Sequence, residues 1–194
     1  MRRKTFDALL TSAGLVLAVV LVIAGGLLLW AHSFVNDQVQ TQLSAQKIFF
    51  PKAGSEPLQD PAIKPYLTKY AGQQLVNGAQ AEAYANHYIA VHIKAAGGGL
   101  TYAELSDESR ANPTDTKLAA QVQTAFRGET LRGMLLNAYA FWKMGQIALI
   151  AGIAALAAAA VLLLLSLLGY AHLRTVDAKV EVMPKLGADA PVHP

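Results

Sequence analysis

The stretch from Met144 to Leu173 reads MGQIALIAGIAALAAAAVLLLLSLLGYAHL and contains no Asp, Glu, Lys or Arg. About 20 apolar residues in a helix rise about 30 Å, the thickness of a bilayer's hydrocarbon core. No water is present there, so the backbone must satisfy its own hydrogen bonds, and a helix does so within one segment. This run restricts the chain to folds that place it in a membrane. A second run, Ala8 to Ala31, reads ALLTSAGLVLAVVLVIAGGLLLWA. It exceeds the roughly 7–15 residues of a signal-peptide core. Ala31 and Ser33 offer small residues for cleavage after Ser33, but the length favours an uncleaved first transmembrane helix.

The flanks orient the two runs. Arg2, Arg3 and Lys4 precede the first, and no further basic residue but His32 appears until Lys47. The positive-inside rule therefore predicts a cytoplasmic N-terminus. Two spans return the C-terminus to the same side, where Arg174 and Lys179 follow the second run. Lys143 opposes this locally. It sits beside Tyr139, Phe141 and Trp142, however, and an aromatic cluster with one snorkelling lysine fits an interface on either side. Trp30, Tyr139, Trp142 and Lys143 are the expected interface anchors. The chain thus divides into a cytoplasmic tail (1–7), a first span (8–31), an extracytoplasmic domain (32–143), a second span (144–173) and a disordered cytoplasmic tail (174–194).

The central domain reads as helical. Val35, Val39 and Leu43 lie four apart, so the first helix is predicted to continue outward for about three turns and to stop by Pro51. Pro51, Pro57, Pro61 and Pro65 with Gly54 mark an irregular connection, and Asn77-Gly78 a turn. Ala79 to Ala96 is predicted helical, with Tyr84, Tyr88, Val91 and Ala95 on one stripe and Ile89 and Ile93 widening it. Gln80, Asn86, His87 and Lys94 fall opposite. Gly97-Gly98-Gly99 ends that helix. Thr101 with Glu104 forms a capping-box pattern for the next one. Thr114 or Asp115 caps a further helix through Phe126. Arg127 to Phe141 lies at the interface or runs on into the second span, with Gly128 and Gly133 as bends. The tail after Arg174 has three prolines and no period.

The candidate chemistry is sparse. His87 and His92 invite a metal, but helical metal pairs use a spacing of four. A spacing of five sets them about 140° apart. The reading that fits better keeps His87 on the polar face and His92 hydrogen-bonded within the apolar flank. Glu82, Glu104, Asp107, Glu108 and Glu129 supply carboxylates, yet acid–base catalysis needs two of them held in one pocket with separated pKa values. No nucleophile elbow, phosphate loop or dinucleotide glycine pattern occurs in the sequence, and with no cysteine there are no thiolate sites. The formal charge of +3 gives no ground for nucleic-acid binding. No cofactor or catalytic residue is assigned.

Small residues mark the interaction faces. Ala148 with Gly152, and Ala151 with Ala155 and Ala159, repeat at four, a spacing that lets helix backbones approach closely. Gly14 with Ala18, and Gly25-Gly26, answer them on the first run. These faces join the two helices of one chain, dock a second membrane protein, or do both. The Tyr84/Tyr88/Val91 stripe is the candidate contact surface of the domain. A channel would need an oligomer lined by residues such as Thr11, Ser12, Gly25 and Gly26.

The stretches TKYAGQQLVNGAQAEAYANHYIAVHI, GGGLTYAELSDES and FRGETLRGMLLNAYAFWKMGQIA resemble a group of actinobacterial two-span membrane proteins of unassigned function. Relatives in that group carry similar A-x-x-Y-A-N-H, G-G-x-T-Y-x-x-L and R-G-x-x-L-R-G-x-L-L-N-A-Y segments between their spans. The resemblance covers most of the chain and implies an envelope location in a high-GC Gram-positive bacterium. Some such proteins carry the label of aromatic-ring-opening dioxygenase, which this sequence does not support because no iron-ligand set is recognisable in it.

The expected fold is all-α: an antiparallel transmembrane hairpin, N-in and C-in, bearing a small helical extracytoplasmic domain. The expected function is that of a non-catalytic plasma-membrane subunit or scaffold of an envelope complex. Its partners are the lipid bilayer and either copies of itself or a larger membrane complex. The alternatives are a small-ligand binding or sensory module, an oligomeric channel, and an enzyme using His87 or His92.

Overall fold

The structure, a computed structural model, describes residues 2–175. The tail expected to be disordered lies outside the described residues from position 176 on. The fold is all-helical, and an isolated antiparallel bridge pairs Phe49 with Gln74. The helices are α1 (Arg3–Ala45), α2 (Lys64–Leu67), α3 (Gly78–Tyr84), α4 (Ala90–Ala96), α5 (Tyr102–Ala111) and α6 (Thr116–Leu173). Short 3₁₀ turns occupy Glu56–Gln59 and Thr68–Tyr70, and a π turn, Ala85–Ile89, joins α3 to α4. The described residues form two compact units, 2–30 with 148–175, and Ala31–Ile147.

In the first unit, parts of α1 and α6 pack on each other. Both helices are long and apolar enough to cross a membrane, and only 11% of the most apolar window of each is buried. Leu10, Val16, Ile23, Ile150, Leu164 and Leu168 all stand exposed. Ala18, Gly25, Gly152, Ala159 and Ser166 are the buried positions. The contacts follow one order. Thr11 meets Gly169, Gly14 meets Ser166, and Gly25 meets Leu156 and Gly152, so residue numbers rise along one helix as they fall along the other.

The second unit has a conventional core. Val39 and Leu43 of α1, Leu105 of α5, and Leu118, Ala125 and Leu135 of α6 enclose Phe50, Leu58, Ile63, Leu67 and Leu75 from the connecting segment. The end of α1 matches the expected three-turn extension, although Pro51 is not what stops it. The helix ends at Ala45, and Lys47 then turns with φ 52 in the left-handed region. Asn77-Gly78 is not a free turn. Asn77 caps α3 and makes a full capping box with Gln80, which is buried to 5% exposure instead of facing solvent. Gly78 is required there because a Cβ would overlap the Trp142 side chain.

The rod from Gly78 to Ala96 packs the expected apolar surface on the core, with Ile89 and Ile93 buried and Tyr84, Tyr88 and Val91 partly buried, but Ala95 is exposed. Ala81 and Ala85 extend the buried line of Ile89 and Ile93 at steps of four. Steps of four on a 3.6-residue helix drift about 40° each, or about 120° over three steps. The π turn, closed by the Ala90 N–H to the Ala85 carbonyl, absorbs one extra residue and cancels most of that drift. The Gly97–Gly99 stop behaves as expected: Gly98 and Gly99 take φ of 65 and 94. The Thr101–Glu104 capping box is present, and the Asp115 carboxylate accepts the Leu118 N–H at 2.9 Å to start α6. That helix does not end at Phe126, nor does it break at Gly128 or Gly133, and it runs without interruption to Leu173. Gly128 serves close packing, since a Cβ there would lie 2.5 Å from Ile93.

Candidate functional site

The helical unit carries its aromatic residues as a connected ladder along the π-turn rod. Tyr70 packs on Phe50 at 5.0 Å, Phe50 meets Tyr84 edge-on at 5.3 Å, Tyr84 stacks on Tyr88 at 4.7 Å, and Tyr88 contacts His92 at 4.3 Å. Such contacts contribute about 0.5–1.5 kcal/mol each beyond area burial. The ladder fixes His92 further, because its Nδ1–H donates to the Tyr88 carbonyl at 2.8 Å. Burial, and secondarily the neighbouring Tyr88, pushes the Tyr84 hydroxyl up to about 12.

The two histidines make separate contacts, although the π turn between them removes the 140° separation of a regular helix, and His92 is exposed and not in the apolar flank. His87 stacks flat on Tyr66 of α2, with ring centres 3.5 Å apart and planes 3° from parallel. His92 instead lines an open cleft of about 570 Å³ with Glu56, Gln59, Asp60, Ile63, Pro57 and Pro61. The imidazole and two carboxylates give that cleft a polar rim on a proline and isoleucine wall. Asp60 is partly committed, since it accepts the Ala62 N–H at 2.7 Å. Among the described residues no three His, Asp or Glu side chains converge in a way that could hold a metal.

Of the carboxylates singled out from the sequence, Glu82 and Glu129 share one relay, and Glu104 and Asp107 make local contacts on α5. Glu82 accepts from Asn86 at 2.9 Å, Asn86 accepts from Arg132 at 3.2 Å, and Arg132 also reaches Glu129 at 3.3 Å. This relay ties α3 and the π turn to α6. Glu104 serves the α5 cap; the Thr101 backbone N–H donates to it at 2.7 Å and the Thr101 hydroxyl at 2.8 Å. Those bonds hold its carboxyl below the ordinary glutamate range. Asp107 pairs with Arg110 along α5.

In the apolar unit the small-residue face lies against the chain's own α1. A Cβ on Gly152 would sit 3.2 Å from the Gly25 carbonyl, Leu28 and Leu29, and Ala159 is buried. Gly152 and Ala159 of this face join the two helices of one chain. Ala148 and Ala155 are partly exposed, and Ala151 is exposed. Thr11 and Gly25, expected to line an oligomeric channel, are also packed against α6, and the Ser12 and Tyr170 hydroxyls share a hydrogen bond of 3.0 Å. The sequence reading missed the period of the seam. Thr11, Ala18 and Gly25 on α1, and Gly152, Ala159 and Ser166 on α6, recur every seventh residue. A repeat of seven keeps a seam aligned between two helices that coil left-handedly, whereas a repeat of four drifts off it. Counting in sevens would have found it.

The expected interface anchors have separate fates. Trp30 and Lys143 are exposed. Trp142 packs against Gly78 within the helical unit, and Tyr139, partly buried, stacks near it at 6.3 Å. No protein-family model, curated protein or solved structure matches the chain.

Proposed function

We propose that the chain is a non-catalytic integral membrane protein of the plasma membrane, a structural or accessory subunit of a cell-envelope complex. In this reading α1 and α6 form an antiparallel transmembrane hairpin with both ends in the cytoplasm. The helical domain between them lies outside, in an actinobacterial envelope. The observation that carries it is the low burial of two helices rich in Leu, Ile and Val. A core helix of a soluble protein would bury that surface, and lipid is the solvent that leaves it stable when exposed. The order of contacts along the seam supports the hairpin, and the basic residues flanking both apolar runs support the orientation. The aromatic ladder from Tyr70 to His92 and the relay from Glu82 through Asn86 to Arg132 brace the domain, which suits a rigid module that presents surface to partners. Gentle extraction of the C-terminally tagged chain from native membranes, followed by mass spectrometry, tests the subunit role. Partners in constant ratio are expected. A clean monomer or homo-oligomer would refute it.

The cleft beside His92 favours a second reading, a small-ligand binding module. A saturable rise in melting temperature of the full chain in detergent, abolished by His92→Ala, would replace the first reading with this one.

A further inference from the structure

The apolar unit contains a groove that the seam does not fill. It has a volume of about 600 Å³ and runs between the two helices at the end where α1 begins and α6 stops. Its walls are Leu10, Leu17, Leu162 and Leu165, and its mouth holds Arg3, Asp7 and His172. The Ser166 and Thr11 side chains cover Gly14 and Gly169, while Ala13 adds only a methyl to the wall beside them. At the mouth itself the Arg3 cation stands beside the Asp7 carboxylate, and the surrounding helix ends are net positive. Over residues 2–17 and 162–175 the fixed cations are Arg2, Arg3, Lys4 and Arg174, against the single carboxylate of Asp7. Asp7 holds Arg3 at 3.8 Å, one turn along, which stations the guanidinium at the groove.

We infer that this groove binds one anionic phospholipid, its phosphate at Arg3 and His172 and part of one acyl chain between the leucine walls. The occupant follows from the chemistry of both ends. Leucine walls open to the bilayer select a hydrocarbon chain, and a cationic mouth at a helix-pair terminus selects an anionic headgroup. Arginine suits the phosphate because its planar fork donates two parallel hydrogen bonds. The lipid belongs to the cytoplasmic leaflet, and that part of the inference rests on the N-in orientation proposed above.

Native mass spectrometry of the purified full chain in mild detergent tests it, with phosphatidylglycerol and phosphatidylcholine of identical acyl chains as probes. One retained phosphatidylglycerol per chain is expected, at roughly tenfold lower lipid concentration than phosphatidylcholine requires. Arg3→Gln is expected to weaken phosphatidylglycerol about fivefold, the effect of one cation at an anionic headgroup. Ala13→Phe, which fills the groove from an exposed position away from the seam, is expected to weaken both lipids. Asp7→Asn is expected to strengthen phosphatidylglycerol, an increase that damage to the fold would not produce. Equal retention of the two lipids, or wild-type retention by Arg3→Gln and Ala13→Phe, would overturn the site. The measurement is made in detergent and is blind to orientation. External labelling of a cysteine at Lys4 in intact cells would overturn the leaflet assignment alone.

Discussion

Gly25 and Gly26 are neighbours on one helix with opposite surroundings, and substituting each by alanine isolates the seam. A Cβ on Gly25 would lie 2.8 and 2.9 Å from Leu156 Cγ and Cδ2, and 3.1 Å from the Gly152 carbonyl oxygen. Carbon atoms prefer about 3.5–4.0 Å, so the helices must part by more than half an ångström locally or Leu156 must leave its rotamer. One of the three contacts is backbone, which limits relief by side-chain motion. A Cβ on Gly26 meets nothing within 4 Å. Both substitutions gain the same intrinsic helix propensity, up to about 1 kcal/mol, so it cancels in the difference between them. What remains is overpacking, about 1–3 kcal/mol against Gly25→Ala. That is about 5- to 150-fold in the helix-pair equilibrium. Unfolding in mixed micelles of mild detergent and SDS, followed by far-ultraviolet circular dichroism, reads the difference. Gly26→Ala is expected at or above wild-type stability and Gly25→Ala well below Gly26→Ala. Equal stabilities would refute the seam as the contact between the helices.

The helical unit supplies further tests. Thr101→Ala removes the α5 cap and is expected to lower stability by about 1 kcal/mol in a thermal melt at neutral pH. The lowered pKa of Glu104 means its contribution is present above the unfolded value and is lost as pH falls through the folded one. The difference between wild type and Glu104→Gln should therefore shrink in acid, and a pH-independent difference would contradict the assignment. Tyr84, raised from 10.0 to about 12, favours the folded state below pH 10 and loses that contribution between pH 10 and about 12. The tyrosinate absorbance missing from Tyr84→Phe in an alkaline titration should lie near pH 12. The stack of His87 on Tyr66 should appear as a coupling of about 0.5–1.5 kcal/mol in a double-mutant cycle of His87→Ala and Tyr66→Ala. Zero coupling would remove it as a structural contact.

Local signals carried most of the helix boundaries. The Thr101–Glu104 box, the glycine run after Ala96 and the carboxylate at Asp115 act within four residues of themselves, and the chain obeys each of them. What sequence reading could not supply was phase. The face of the Gly78–Ala96 rod was set by a π turn, and no residue type announces an inserted residue; the clue was the buried line at steps of four. Asn77-Gly78 looks like a turn because those residues suit both turns and helix starts, and Gln80 three positions on decides for the cap. The seam was legible but was read with the wrong period. Alanine is so frequent in the second apolar run that steps of four and steps of seven both find partners. The contacts of Gly152, Ala159 and Ser166 select seven. The relay from Glu82 through Asn86 to Arg132 joins residues far apart in sequence and had no local signature.

The membrane topology is the claim on which the functional reading depends, and the absence of native cysteine makes it directly measurable. Single cysteines placed at Lys4, Lys52, Lys117 and Thr175, all exposed positions, can be labelled in intact cells with a membrane-impermeant maleimide. The hairpin account expects Lys52→Cys and Lys117→Cys to react at once, and Lys4→Cys and Thr175→Cys to react only after permeabilisation. Reaction of either terminal cysteine in intact cells, or opposite behaviour of Lys52→Cys and Lys117→Cys, would contradict it.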